Sequence, residues 1–129
     1  MRHTVDFVED PDGVIVHAFG RADIEGFRAL NDDLVSDARF RPGMQILLDQ
    51  THLDVSELTL SDMDEIGIHV RSLADRIGRS PVAIVATDAL TRLAAQAFAD
   101  DSGPAGLKPQ IVETMSEGIR WLARQEPAA

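Results

Sequence analysis

The spacing of apolar residues changes along the chain, and each change marks an element. Val5 and Phe7 alternate with polar neighbours, Val8 falls out of step, and the stretch Val5–Asp10 predicts an edge strand. Pro11, Asp12 and Gly13 then predict a tight turn, because proline pre-sets φ and glycine supplies a positive φ. Val14 to Phe19 predicts a second strand, closing an opening hairpin that Gly20 ends. From Asp23, a good N-cap, the period lengthens. Ile24, Phe27, Leu30, Leu34 and Val35 share one helical face, with Glu25, Arg28, Asp32 and Asp33 opposite. Phe40-Arg41-Pro42-Gly43 stops that helix. Met44 to Asp49 is a short, nearly continuous apolar run, as a strand buried on both faces requires.

Residues 50–60 read as a long connection. A helix from about Ser61 to Gly78 follows, with Met63, Ile66, Val70, Leu73, Ala74 and Ile77 as its buried stripe. Ser61 reads as its N-cap and Asp64 as the N3 partner. Pro81–Ala86 predicts a fourth strand. Leu90, Leu93, Ala94, Ala97 and Phe98 predict a further helix, residues 102–106 a loop, and Gln110–Glu113 a last strand. The helix from Met115 to Arg124 turns Ile119 and Leu122 inward. The order β-β-α-β-α-β-α-β-α predicts an α/β fold: a mostly parallel five-stranded sheet with right-handed crossovers and four main helices. The 129 residues suit one domain, 1–129.

Composition narrows the chemistry. Without cysteine there is no disulfide, thiolate nucleophile or cysteine-ligated metal. The first residues lack the apolar core of a signal peptide, and no apolar run approaches the roughly 20 residues that span a bilayer. A cytoplasmic location without stable membrane insertion is the expectation. The formal charge of −10 repels nucleic-acid backbones and anionic lipid surfaces, and favours a basic protein partner if it does more than keep the chain soluble.

Taken together, the opening hairpin, the strand Gln45-Ile46-Leu47-Leu48-Asp49 ending in aspartate, the strand Pro81-Val82-Ala83-Ile84-Val85, and the ending Ile111-Val112-Glu113 through Gly118-Ile119-Arg120-Trp121-Leu122 resemble the SpoIIAA-like fold. That is the fold of the STAS (anti-sigma-factor antagonist) domains and of the related STAS/CRAL-TRIO-like bacterial proteins. The resemblance covers nearly the whole chain. It implies a regulatory or protein-interaction module, with lipid or small apolar ligand binding suggested for relatives. In regulatory STAS domains a serine at the start of the helix after the aspartate-ended strand is phosphorylated. Here the corresponding stretch, Thr59-Leu60-Ser61-Asp62-Met63-Asp64-Glu65, lacks the double serine and the glycine. Asp62, Asp64 and Glu65 would surround a phosphate on Ser61 with like charge.

In open parallel sheets, ligands bind beyond the C-terminal strand ends. Those ends bring Arg21 and Asp23, Asp49, Thr51 and His52, Thr87 and Asp88, and Thr114 towards one edge. Asp23 and Asp88 read equally as helix caps, and Asp49 as a partner of nearby backbone N–H groups. Asp49 with His52 resembles half of an acid–base dyad, without a Gly-x-Ser-x-Gly elbow to complete it. Glu65 and His69, four apart, form a metal-ligand pair only if a third ligand arrives; an exposed helix pair is the plainer reading. His17 reads as a satisfied strand histidine, Trp121 as a residue at the rim of the core. No cofactor or metal is implied.

The 50–60 connection carries Leu53, Val55, Leu58 and Leu60 among polar residues, and Ile68 falls off the buried stripe of the following helix. This is the expected contact surface for a protein partner, an apolar ligand or a second copy in a homodimer. The leading expectation is a non-enzymatic interaction module, and the alternative a binder of a small apolar or lipid-like ligand. An apolar cavity under the connection would favour the ligand, and a flat apolar patch the protein partner. Asp49, His52 and Asp88 within hydrogen-bond reach of one another would favour an enzyme.

Overall fold

The computed structural model describes residues 1–9, 12–102 and 107–125, the side chains of 101 and 102 excepted. Pro11 of the predicted turn and most of the predicted 102–106 loop lie outside the described residues. Strands β1 (Arg2–Val8), β2 (Gly13–Arg21), β3 (Gln45–Asp54), β4 (Val82–Val85) and β5 (Gln110–Val112) form one sheet in sequence order. The helices are α1 (Ile24–Ser36), α2 (Leu60–Ser72), α3 (Ala74–Ile77), α4 (Ala89–Ser102) and α5 (Met115–Ala123).

Two expectations are corrected at this level. The sheet is mixed: β1 runs antiparallel to β2, and the pairs from β2 to β5 are parallel. Among the described residues there are five helices rather than four, because the predicted 61–78 helix breaks at Leu73, whose ψ of 9° leaves the helical range. Gly78 then ends α3 at φ 72°, where a Cβ would lie 2.9 Å from the Gly43 nitrogen. Gly43 uses that approach to donate its N–H to the Ile77 carbonyl at 2.9 Å.

Alternation in the strands divides the core. Val14 and Val16 of β2, Ile46 of β3 and Ile84 of β4 pack with α1 to α4 on one face. Leu47, Ala83, Val85 and Val112 point the other way and meet α5 through Leu122. Ile119, expected inward on α5, is exposed. Gly118 is the buried contact instead, since only a missing side chain lets α5 approach Leu47 so closely.

Helix α5 lies over β3, β4 and β5. On its side of the sheet, β1 and β2 carry Thr4, Asp6, Ile15 and His17, with Thr4 and Asp6 exposed and Ile15 and His17 half-buried. The same sheet therefore offers a helix-covered half and a more open half.

Candidate functional site

The expected 50–60 loop is half strand. β3 continues to Asp54 because Phe19, Gly20 and Arg21 of the long β2 pair with His52, Leu53 and Asp54. His17 lies opposite Asp49 but Phe19 lies opposite His52, so β3 holds one extra residue at Gln50–Thr51, a β-bulge. After the strand the chain turns through Val55–Leu58, closed by the Leu58 N–H on the Val55 carbonyl at 3.0 Å. Leu53 and Val55 are buried in the main core rather than standing out from the loop.

The cap of α2 is also corrected. Thr59, in extended conformation, is the N-cap: its hydroxyl accepts from the Asp62 N–H at 3.0 Å, and the Asp62 carboxylate accepts from the Thr59 N–H at 2.9 Å. Ser61 is an exposed first-turn residue, and Asp64 is not the partner of a cap.

What this start of α2 creates is a groove against α4, of about 330 Å³. Val55, Leu58 and Met63 form its buried and half-buried floor. Leu60, Leu90 and Leu93 stand at its rim with 80%, 50% and 68% of their surface exposed. Thr59, Gln96 and Asp100 are its polar lining, and Gln96 Nε2 donates to the Asp100 carboxylate at 3.1 Å. Leu90 and Leu93 belong to the apolar pattern that predicts α4, but they do not face the core. Thr91 and Ala95 are the buried residues of that helix, and at 3.6 residues per turn Leu90 and Leu93 fall about 140° and 160° from Ala95, on its far side. Ile68 is 58% exposed, as expected, but stands apart from the groove lining.

The strand-end polar residues do not converge. Asp88 caps α4, accepting from the Thr91 N–H at 2.9 Å and hydroxyl at 2.8 Å, and these two bonds hold its carboxyl below the usual range. Asp23 caps α1 through the Gly26 N–H. His52 is exposed and does not pair with Asp49. The cluster of Asp49, His52 and Asp88 that would have favoured an enzyme is not formed.

Asp49 pairs elsewhere. Its Oδ2 lies 2.8 Å from His17 Nδ1, while Oδ1 accepts from the Thr51 N–H at 3.0 Å and hydroxyl at 2.7 Å. The bulge turns the Thr51 N–H back onto the carboxylate. Burial pushes the Asp49 carboxyl up, but the two Thr51 bonds and the His17 ring together hold it below the ordinary range. An ionised carboxylate there keeps a proton on His17 Nδ1. Sequence spacing could not reveal this pair, because 32 residues separate the partners and only strand register joins them.

The Glu65–His69 pair is tied into the seam between helices: His69 meets Asp32 of α1 at 3.0 Å, and Glu65 faces Arg28 at 3.9 Å. Among the described residues, no group of three His, Asp or Glu side chains could hold a metal ion, and no helix is long and apolar enough to cross a membrane.

No protein-family model matches the chain, and no curated protein matches it in sequence. A solved structure does: an uncharacterized protein from the DUF3478 family with a SpoIIAA-like fold, from Shewanella loihica PV-4. The two superpose with a TM-score of 0.60 at 17% identity, over 94% of this chain and 92% of that one. Likeness at that identity is a likeness of fold, and with the strand order, mixed sheet and helix layers described above it makes the chain SpoIIAA-like in fold.

Proposed function

We propose that this chain is a non-enzymatic binding module of STAS type whose α2–α4 groove takes a small apolar or amphipathic ligand. One observation carries the reading: a concave, largely apolar groove of about 330 Å³ at the start of α2, with three leucines held in water at its rim. That volume lies at the lower end of ligand pockets. Covering an exposed leucine contributes on the order of 1–2 kcal/mol. Three of them give about 3–6 kcal/mol before losses on immobilisation, so dissociation constants in the high-micromolar to millimolar range suit a simple probe. The nearly uncharged lining makes apolar contact the main source of affinity.

The test is a titration with 1-decanol, followed through leucine and methionine methyl resonances. Saturable one-to-one shifts at Leu60, Met63, Leu90 and Leu93 are expected. Leu93→Glu should abolish them while the melting temperature stays near wild type, since an exposed site tolerates substitution within about 0.5 kcal/mol. Shifts that fail to saturate, or that survive Leu93→Glu, refute the reading.

A second reading rests on the 80% exposure of Leu60, which stands further out than a small occupant would cover. On it, the groove receives the apolar ridge of a basic amphipathic helix from a protein partner. A Leu/Lys helical peptide that displaces decanol and is itself lost with Leu93→Glu would favour this occupant. An equivalent Leu/Glu peptide should not bind.

A further inference from the structure

The groove lies on the face packed by α1 to α4. On the α5 side, three side chains from three neighbouring strands share one rung. Thr4 of β1 pairs with His17 of β2, and His17 pairs with Asp49 of β3. Directly opposed residues in a sheet face the same way, with Cβ atoms about 4.5–5.5 Å apart. Hydroxyl, imidazole and carboxylate therefore stand in a row.

The inner half of the row is built. Asp49 is buried, fixed by two bonds from Thr51, and bonded to His17 Nδ1 at 2.8 Å. A proton on Nδ1 leaves the lone pair of the neutral ring on Nε2. The ring is partly open, with 38% of its side-chain surface exposed. Thr4, on the adjacent strand and exposed, is the register partner of His17, so its hydroxyl stands on the same face as the ring. A carboxylate that fixes the tautomer, an imidazole with a free nitrogen and a neighbouring hydroxyl are the parts of nucleophile activation, whatever fold carries them.

We propose that Thr4, His17 and Asp49 form an acyl-acceptor site, in which Thr4 is the nucleophile towards an activated ester. His17 Nε2 takes the Thr4 hydroxyl proton as Oγ attacks the ester carbonyl carbon. The Oγ–C bond forms, the bond to the alkoxy or phenoxy leaving group breaks, and the imidazolium returns that proton to the departing oxygen. Thr4 is left as its O-acyl ester and the protein is otherwise unchanged. Asp49 acts through His17 and is a positioning residue. Ile15 and Phe19, two residues either side of His17 on β2, favour a donor with an apolar or aromatic leaving group. The site is independent of the groove and stands whatever the groove binds.

The experiment is incubation of the intact chain with p-nitrophenyl acetate, followed by intact mass and peptide mapping. One acetyl group on Thr4 is expected. His17→Gln should slow its appearance by about a hundredfold or more, in line with loss of a general base. Thr4→Val keeps an exposed β-favouring residue and should abolish the label with the fold intact. Asp49→Asn should slow labelling of a chain whose circular dichroism is native. A label confined to the Met1 amine, Lys108 or another histidine would overturn the proposal. So would a label that stops at His17, or labelling of Thr4 that is indifferent to His17→Gln.

Discussion

Replacement of Gly118 by alanine tests how α5 is seated, and therefore how much of the sheet it covers. A Cβ at Gly118 would lie 2.6 Å from Leu47 Cδ1, 3.4 Å from Val112 Cγ2 and 3.6 Å from Ala83 Cβ. Carbon atoms prefer about 3.5–4.0 Å, so the overlap with Leu47 is about 1 Å and the other two contacts are ordinary. Leu47 is buried among Ala83, Val85, Val112 and Leu122 and has little room to change rotamer. Over-packing of this kind costs about 1–3 kcal/mol. Alanine in place of a mid-helix glycine returns about 0.5–1 kcal/mol. The net expectation for Gly118→Ala is a loss of about 0.5–2 kcal/mol, or a few degrees in melting temperature for a chain of this size. Leu47→Ala alone should cost about 2–5 kcal/mol by leaving a cavity. In the double variant the new methyl enters that cavity, so the two losses should fall short of additive by about 1 kcal/mol or more. Urea unfolding of the four proteins measures the cycle. A stabilised Gly118→Ala, or losses that simply add, would refute the close seating of α5 on Leu47.

Other substitutions address the corrected elements. Thr59→Ala removes the hydroxyl of the capping box and should cost about 0.5–2 kcal/mol, while Ser61→Ala should stay within about 0.5 kcal/mol; the reverse order in urea unfolding would restore Ser61 as the cap. Leu58→Glu puts a charge against the main core and should cost several kcal/mol, whereas Ile68→Glu, on an exposed position, should melt near wild type. Asp49, Asp54 and Asp88 all have folded pKa values below the ordinary 3.8. A lowered carboxyl stabilises the fold above its unfolded pKa and loses that contribution as pH falls through the folded value. Stability should therefore fall below about pH 4, and less steeply in Asp49→Asn, which a pH series of thermal melts would show.

The parts of the fold carried by local period were legible. Asp23 before the Ile24–Val35 stripe is the cap of α1, and the apolar run Ile46–Leu48 is buried strand. The end of β3 was not, because His52 and Asp54 interrupt the apolar run and leave a stretch of alternation only four residues long. What makes them strand is pairing with β2, 30 or more residues away. The start of α2 had two hydroxyls with an aspartate three residues on, Thr59 with Asp62 and Ser61 with Asp64. The choice between them rests on where the Val55–Leu58 turn delivers the chain. The groove was half legible for a similar reason. Leu58 and Leu60 stood out in the sequence, but Leu90 and Leu93 marked only a helix, and their place on the groove rim depends on how α4 packs on α2. The His17–Asp49 pair had no local signal at all.

The charge of −10 reads differently once the acids are placed. Asp23, Asp37, Asp49, Asp54, Asp62 and Asp88 each accept a backbone N–H, from Gly26, Arg39, Thr51, Ser56, Thr59 and Thr91 respectively. Each of these bonds closes a turn or caps a helix, which is local work that a neutral asparagine or serine does nearly as well. Six of the 22 acidic residues thus do local work at separate turns. Asp23 and Asp62 do share one surface hollow with Glu25 and Glu57, but none of its lining residues belongs to the α2–α4 groove. Around the α2–α4 groove, Asp100 is the charged group of the lining itself, with its carboxylate already accepting from Gln96. Selectivity there must come from apolar shape, with charge entering through long-range attraction that salt screens within about 10 Å. This weighs towards the small apolar ligand over the basic helix. The two predict different ionic-strength behaviour: decanol binding that holds or tightens from low to high salt fits the first, and peptide binding that collapses over the same range fits the second.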